Sequence, residues 1–276
     1  MIHYLLKTEK ETEMKYHMIK SIVIAMIMTL STLTAWAEED QPTASADIGI
    51  FNKYIWRGYE LSDDSIVIQP VTSIGYKNMN LSLWGNVDSA LDDSDPTTTD
   101  KNAWNETDFT LAYGTSYGML NVELGYIYYG LDGLDDTQEM YVSFGTDTLF
   151  SPALTIYKDI GTLPGWYFSL GLSHSIDVSE GFTLDLAASM GYYISEDDDF
   201  VEVDSDLNLT TNKYSGLHDG MISASTTFPM GQYISLTPMV AYSFPLSKKA
   251  DYLIQSTSFA GDSDFLYGGI TFSIAF

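Results

Sequence analysis

The chain has 276 residues, 45% of them hydrophobic, and sets 38 acidic side chains against 12 basic ones, for a formal net charge of −26. That balance excludes a nucleic-acid binder, which needs Lys and Arg to neutralise phosphate, and the lack of cysteine excludes disulfide scaffolds and thiolate metal sites. The 20 Tyr, 13 Phe and 21 Gly favour strands and tight turns over helices.

The first element is the only helix-like apolar run. Met14–Lys20 (MKYHMIK) is basic, Ser21–Leu33 (SIVIAMIMTLSTL) is apolar, and Ala35-Trp36-Ala37 is a small-x-small site ahead of Glu38. This is the three-part layout of a secretory signal peptide, and the run is too short for a stable spanning helix. Residues 1–37 are therefore expected to be removed, with translation starting at Met14 or Met18. Residues 38–45 are expected to form a short periplasmic segment, and 46–276 the remaining domain.

From residue 46 onward a period of two replaces any helical period. Leu81, Leu83, Gly85 and Val87 alternate with Ser82, Trp84, Asn86 and Asp88, and Leu184, Leu186 and Ala188 alternate with Asp185, Ala187 and Ser189. Twelve such segments are expected, over 46–58, 65–77, 79–90, 105–116, 119–131, 137–149, 152–160, 165–177, 181–195, 218–229, 232–245 and 264–276. Most have the length that a tilted strand needs to cross a bilayer. Connections after even-numbered segments are short, such as Lys77-Asn78 and Tyr117-Gly118. Those after the third, ninth and eleventh are long, such as EDDDFVEVDSDLNLTTNKYSG. A sandwich has no reason to sort its loops in this way. The pattern predicts an all-β fold: a transmembrane antiparallel up-and-down β-barrel of about twelve strands, with short periplasmic turns and long acidic extracellular loops.

The last segment, GGITFSIAF, places Ile270, Phe272, Ile274 and Phe276 on one face. A closed barrel has no edge, so this strand must pair with the first and present apolar residues to lipid. Phe272, Ile274 and above all Phe276 look like the assembly signal of an outer-membrane barrel. Tyr54, Trp56, Tyr128, Trp166, Tyr192 and Tyr242 are expected in an outer aromatic girdle, and Tyr76, Phe182, Phe228, Tyr233 and Phe276 in an inner one. With Tyr54 and Trp56 towards lipid, Lys53 and Arg57 point into the lumen, where Asp88, Asp108, Glu123, Glu139, Asp147, Asp159 and Asp185 also face. Arg57 is the sole arginine. It can act as a structural brace on these acids or as one half of a transverse field at a constriction.

A more specific pattern lies in the first strands: Tyr54, Trp56, Arg57 and Gly58, then Ser62-Asp63, then Gln69, and later Trp84-Gly85 followed by Val87-Asp88. Over about forty residues this resembles the TorF-type porin family, with Ile66 standing where that family usually has proline. The resemblance implies an outer-membrane barrel with a channel role and carries over no substrate.

An enzymatic role is not expected, and no catalytic residue is assigned. His174 lacks a serine two positions on, where Ile176 stands, and nothing places a base beside a nucleophile. The acidic loops do not fit a calcium-loop spacing, so neither a metal nor a cofactor is expected. The functional expectation is a porin-like channel in the cell outer membrane, passing small hydrophilic solutes with a preference for cations. The alternative is a non-conducting barrel that acts structurally or binds a partner through its acidic loops. The partners expected are outer-membrane lipid and lipopolysaccharide, the barrel-assembly machinery during biogenesis, and small hydrophilic solutes.

Overall fold

A computed structural model describes residues 41–89, 104–179 and 182–276. The expected signal peptide and the core of the 89–104 loop lie outside the described residues. Twelve strands form the wall: β1 (Thr43–Phe51), β2 (Val67–Tyr76), β3 (Met79–Asp88), β4 (Trp104–Tyr117), β5 (Leu120–Leu131), β6 (Thr137–Thr146), β7 (Ala153–Asp159), β8 (Gly165–Ser179), β9 (Phe182–Ser195), β10 (Ser215–Thr226), β11 (Ile234–Pro245) and β12 (Phe265–Ala275). Each pairs antiparallel with its neighbours in sequence, and β12 closes on β1 with Ile48 opposite Phe272 and Ile50 opposite Ile270. The last backbone amide donates to Ala44 (2.8 Å), and the Ala44 amide donates back to Phe276 (3.2 Å). Closure leaves no unpaired edge, which is what a spanning sheet requires.

The wall sorts its side chains by parity. Ile48, Leu83, Leu124, Met140, Leu172, Val240 and Ile270 are exposed on the outside, where lipid would cover them. Gln69, Asn86, Glu139, Tyr167 and Ser243 point inward. Turns on the terminus side are short. On the other side the chain runs through 52–66, 196–214 and 246–264 before rejoining the wall.

The first strand departs from the sequence expectation. The chain leaves the wall at Phe51 rather than at residue 58, and residues 52–66 fold back into the barrel as a small hairpin, Ile55–Trp56 paired with Tyr59–Glu60. Tyr54 and Trp56 are therefore not girdle residues. Tyr54 is buried against Trp84 inside the lumen (5.5 Å between ring centroids), and Trp56 packs edge-on to Tyr129 (6.1 Å). The cause is local. Arg57 (φ +48°) and Gly58 (φ +82°) form a two-residue turn with both φ positive, the geometry that suits a tight hairpin and not a continuing strand. Tyr128, Trp166, Tyr192 and Tyr242 do lie on the outer face.

A helix in the 246–264 loop is the second departure. α1 (Lys248–Thr257) starts at Ser247, whose Oγ accepts from the Ala250 amide (3.2 Å). It buries Ala250, Leu253 and Ile254, one stripe at helical spacing. Leu253 joins Tyr167, Tyr193, Val203 and Tyr214 in one cluster, and Ala250 and Ile254 meet Phe265 in a second. The 196–214 loop contributes Val203 and Phe200 through a short hairpin, Val201–Val203 with Leu209–Lys213. The hairpin at 55–60 lies where the alternation predicts a continuous strand.

Candidate functional site

Arg57 sits at the tip of the inner hairpin, and its turn needs a partner without a Cβ. A Cβ on Gly58 would stand 2.8 Å from that of Asp219, so glycine serves both the positive φ and the close approach. The Arg57 guanidinium forks onto Glu139 of β6, at 2.8 Å and 2.7 Å to its two oxygens, and the Tyr129 hydroxyl donates to the same carboxylate (2.8 Å). Three rings surround the charge: Tyr167 at 4.2 Å, Trp56 at 4.4 Å and Tyr157 at 4.6 Å. Both side chains of the pair are nearly inaccessible, 8% and 4% exposed. Burial pulls the guanidinium pKa down, but Glu139 outweighs it and the net direction is up, so Arg57 stays charged. A buried, bidentate, ring-stacked pair of this kind is a site for arginine and not for lysine.

The base of the hairpin is clamped separately. Lys53 pairs with Glu60 and with Asp64 (2.7 Å), and Glu60 also accepts from Ser258 beyond α1 (2.7 Å). Burial lowers the Lys53 pKa, yet Asp64 and Glu60 together leave it raised. Ser62, buried, accepts from the Tyr54 amide (2.8 Å), and the Leu61 amide donates to Tyr54 (2.8 Å).

Most residues of the family-like pattern meet around the hairpin, Gly85 and Asp63 excepted. Gln69 donates to Asn86 (3.2 Å), and Asn86 to Asn105 (2.8 Å), a polar ladder across β2, β3 and β4. Trp84 supports Tyr54. Gly85 faces outward, under the Trp104 indole. Asp63 is exposed at the loop surface.

Of the other acids expected in the lumen, Glu139, Asp159 and Asp88 are buried towards the outer end, with Asp108 on the β4 wall. Glu123 lies lower, where it accepts from Tyr141 (2.7 Å), and Asp185 accepts from Ser175 (2.5 Å). Asp147 is in a terminus-side turn, exposed, accepting from Asn121 (3.0 Å). These three are not brought to the Arg57 hairpin.

Strand alternation alone does not bring His218 and Asp219 into the lumen together. Between Met190 and Tyr192 the β9–β10 register slips, so Gly191 faces two residues of β10. This bulge turns both His218 and Asp219 inward. Tyr167 donates to Asp219 (2.8 Å), and His218 Nδ1 bonds Tyr214 (2.8 Å). A bulge has no plain sequence mark here. Glu106, two residues before Asp108 on the same face, was legible from the alternation alone.

The hairpin divides the lumen. On the outer side a cavity of about 430 Å³ is lined by Tyr54, Trp56, Glu106, Tyr129, Tyr193 and Phe200, among others. Below the turn another of about 280 Å³ touches Ile127, Tyr157, Ser169, Asp219 and Tyr267. Trp56, Arg57 and Tyr129 border both. A polar opening of about 500 Å³ near the terminus side is lined by Asn78, Ser116, Asn121, Glu123 and Ser143.

With this geometry in hand, comparison with solved structures finds the NanC porin at a TM-score of 0.50 and 12% identity, covering 84% of this chain and 98% of that one. The chain is an outer-membrane β-barrel. LpxR from Salmonella typhimurium (TM-score 0.42, 12% identity, 84% and 99% covered) and an outer-membrane channel from Pseudomonas putida F1 (0.39, 8%, 86% and 95%) are also similar in outline. No protein-family model matches the chain, and neither does any curated protein. At such identities the likeness speaks for the fold alone.

Proposed function

We propose that the protein is a narrow porin-like channel through which small hydrophilic solutes, cations preferred, diffuse past the Arg57 hairpin. The observation that carries this is the sequence of spaces along the lumen: an outer cavity, a constriction at Trp56, Arg57 and Tyr129, an inner cavity, and a polar opening beyond. Each space has a carboxylate on its wall, Glu106 and Asp159 above, Asp219 below the turn, and Glu123 near the terminus side. A ring of acids along a low-dielectric pore favours cations. The pattern from Tyr54 to Asp88 that resembles the TorF-type porins supports the same reading, since its Trp56 and Arg57 border the constriction.

A second reading is favoured by the packing of α1. Ile254 and Tyr214 are fully buried inside the mouth, as in a barrel whose interior is filled. On that reading the protein does not conduct, and it acts through its acidic outer loops. Single-channel recording of the refolded barrel under a KCl gradient separates the two. Discrete steps with a cation-selective reversal potential are expected. Anion selectivity would remove the argument from lumen acids, and silence from a demonstrably folded barrel would favour the filled-barrel reading.

A further inference from the structure

The outer cavity has a chemical character that a pore for inorganic ions does not need. Its volume, about 430 Å³, is within the range of small-molecule sites. Six aromatic side chains line it, Tyr54, Trp56, Tyr59, Tyr129, Tyr193 and Phe200, and leucines complete an apolar wall. Simple hydrated cations gain nothing from such surfaces, whereas an organic cation gains from both its apolar body and its charge.

The charges lining the same cavity are unbalanced. Glu60, Glu106, Glu139 and Asp159 line it together with a single guanidinium, Arg57. Arg57 is already committed to Glu139, and Glu60 to Lys53. Among the described residues no lysine or arginine is paired with Glu106 or Asp159. Behind Glu106, one oxygen of Asp108 is buried without a hydrogen-bond donor. Asp159 accepts from Thr137 (2.7 Å) and from the Gly161 amide (2.8 Å), but a wall holding carboxylates without a cationic partner, set beside aromatic faces, is complementary to a positive ligand with apolar substituents.

We propose that the outer cavity is a binding site for organic cations of the quaternary or aryl-ammonium class, seated among Tyr54, Trp56, Tyr129 and Phe200 with the charge towards Glu106. The site deepens the channel reading by naming the class of solute that the constriction would meet first.

The test is isothermal titration calorimetry on the refolded full-length barrel in detergent, with phenyltrimethylammonium chloride as probe and benzenesulfonate as its anionic counterpart. Saturable binding of the cation, without saturable binding of the sulfonate, is expected. Glu106→Gln should weaken it about tenfold, and Phe200→Leu, which keeps apolar volume but removes a ring face, several-fold. No saturable heat with the cation, equal binding of the sulfonate, or unchanged affinity in both variants would overturn the site. The wild-type comparison decides even if a variant fails to refold. Binding without conductance would leave this site standing and remove the channel. Cation-selective conductance without binding would do the reverse.

Discussion

Replacing Glu139 by Gln tests whether the Arg57 pair keeps the hairpin inside the barrel. The change preserves shape and leaves the guanidinium buried opposite a neutral amide. Two charge-assisted bonds at 2.8 Å and 2.7 Å are at stake, each worth about 1.5–3 kcal/mol. Removing one partner of a buried pair costs about 3–5 kcal/mol. The amide oxygen can keep one bond, and the three rings within 4.6 Å still hold the cation, so the lower end, about 3 kcal/mol, is the fair expectation. At about 1.4 kcal/mol per decade, the population with the hairpin released rises roughly a hundredfold. Arg57 is the sole arginine, so a protease that cuts after arginine and not after lysine supplies a clean assay. Cleavage between Arg57 and Gly58 yields one identifiable fragment, and its rate follows the released population when reclosing is fast. The variant should be cut about a hundred times faster than the wild type, with longer or larger conductance steps. Equal resistance to the arginine-specific protease in Glu139→Gln and wild type would refute the brace.

Gly191→Ala should impair folding, because a Cβ there would stand 2.2 Å from Asp219 Oδ1 and 2.4 Å from the Tyr167 hydroxyl. A loss of about 1–3 kcal/mol would appear as a lower urea midpoint for the refolded barrel, and an unchanged midpoint would show that the bulge relaxes freely. Phe276→Ala removes an exposed ring whose one ring neighbour among the described residues is Tyr233, at 6.0 Å, and keeps the backbone bonds to Ala44. Refolded stability should therefore change little while the amount reaching the outer membrane in cells falls, read by fractionation and immunoblot. The clamp at Lys53 should set a pH window. Its hydrogen bond holds the exposed Asp64 carboxyl below its ordinary 3.8, so that contribution is present above 3.8 and fades as pH falls through the lowered value. Lys53 is raised above 10.5, so its contribution is intact below 10.5 and fades as pH climbs through the raised value. Trp56 fluorescence, taken as the difference from Trp56→Phe, should change as pH passes below the lower limit or above the upper one.

The wall was legible because lipid on one side and water on the other impose a period of two that nothing local overrides. Leu81, Leu83 and Val87 opposite Ser82, Trp84 and Asp88 suffice to orient β3, and the same parity puts Glu139 and Asp185 inside. Parity fails where the chain leaves the wall. Extending it from Ile50 through Gly58 placed Arg57 in the lumen, which is where it lies, but placed Tyr54 and Trp56 on lipid, which is not. The Arg57 position therefore came out correctly for an incomplete reason. A turn at Arg57-Gly58 reverses the chain, and a reversed hairpin inside the barrel has no lipid side at all.

The helix was legible in principle. Ala250, Leu253 and Ile254 follow Ser247 at cap and stripe spacing, though one short stripe in an acidic loop is a weak mark beside twelve strands. What no local pattern could give is the meeting of Arg57 with Glu139, 82 residues apart. That contact depends on barrel closure, which sets β6 to β8 around the hairpin tip. A lone guanidinium in a chain with 38 acids has many nominal partners. The one it takes is Glu139, met where three aromatic rings enclose the guanidinium, because there the low dielectric makes the fork strong and the rings exclude the competing water.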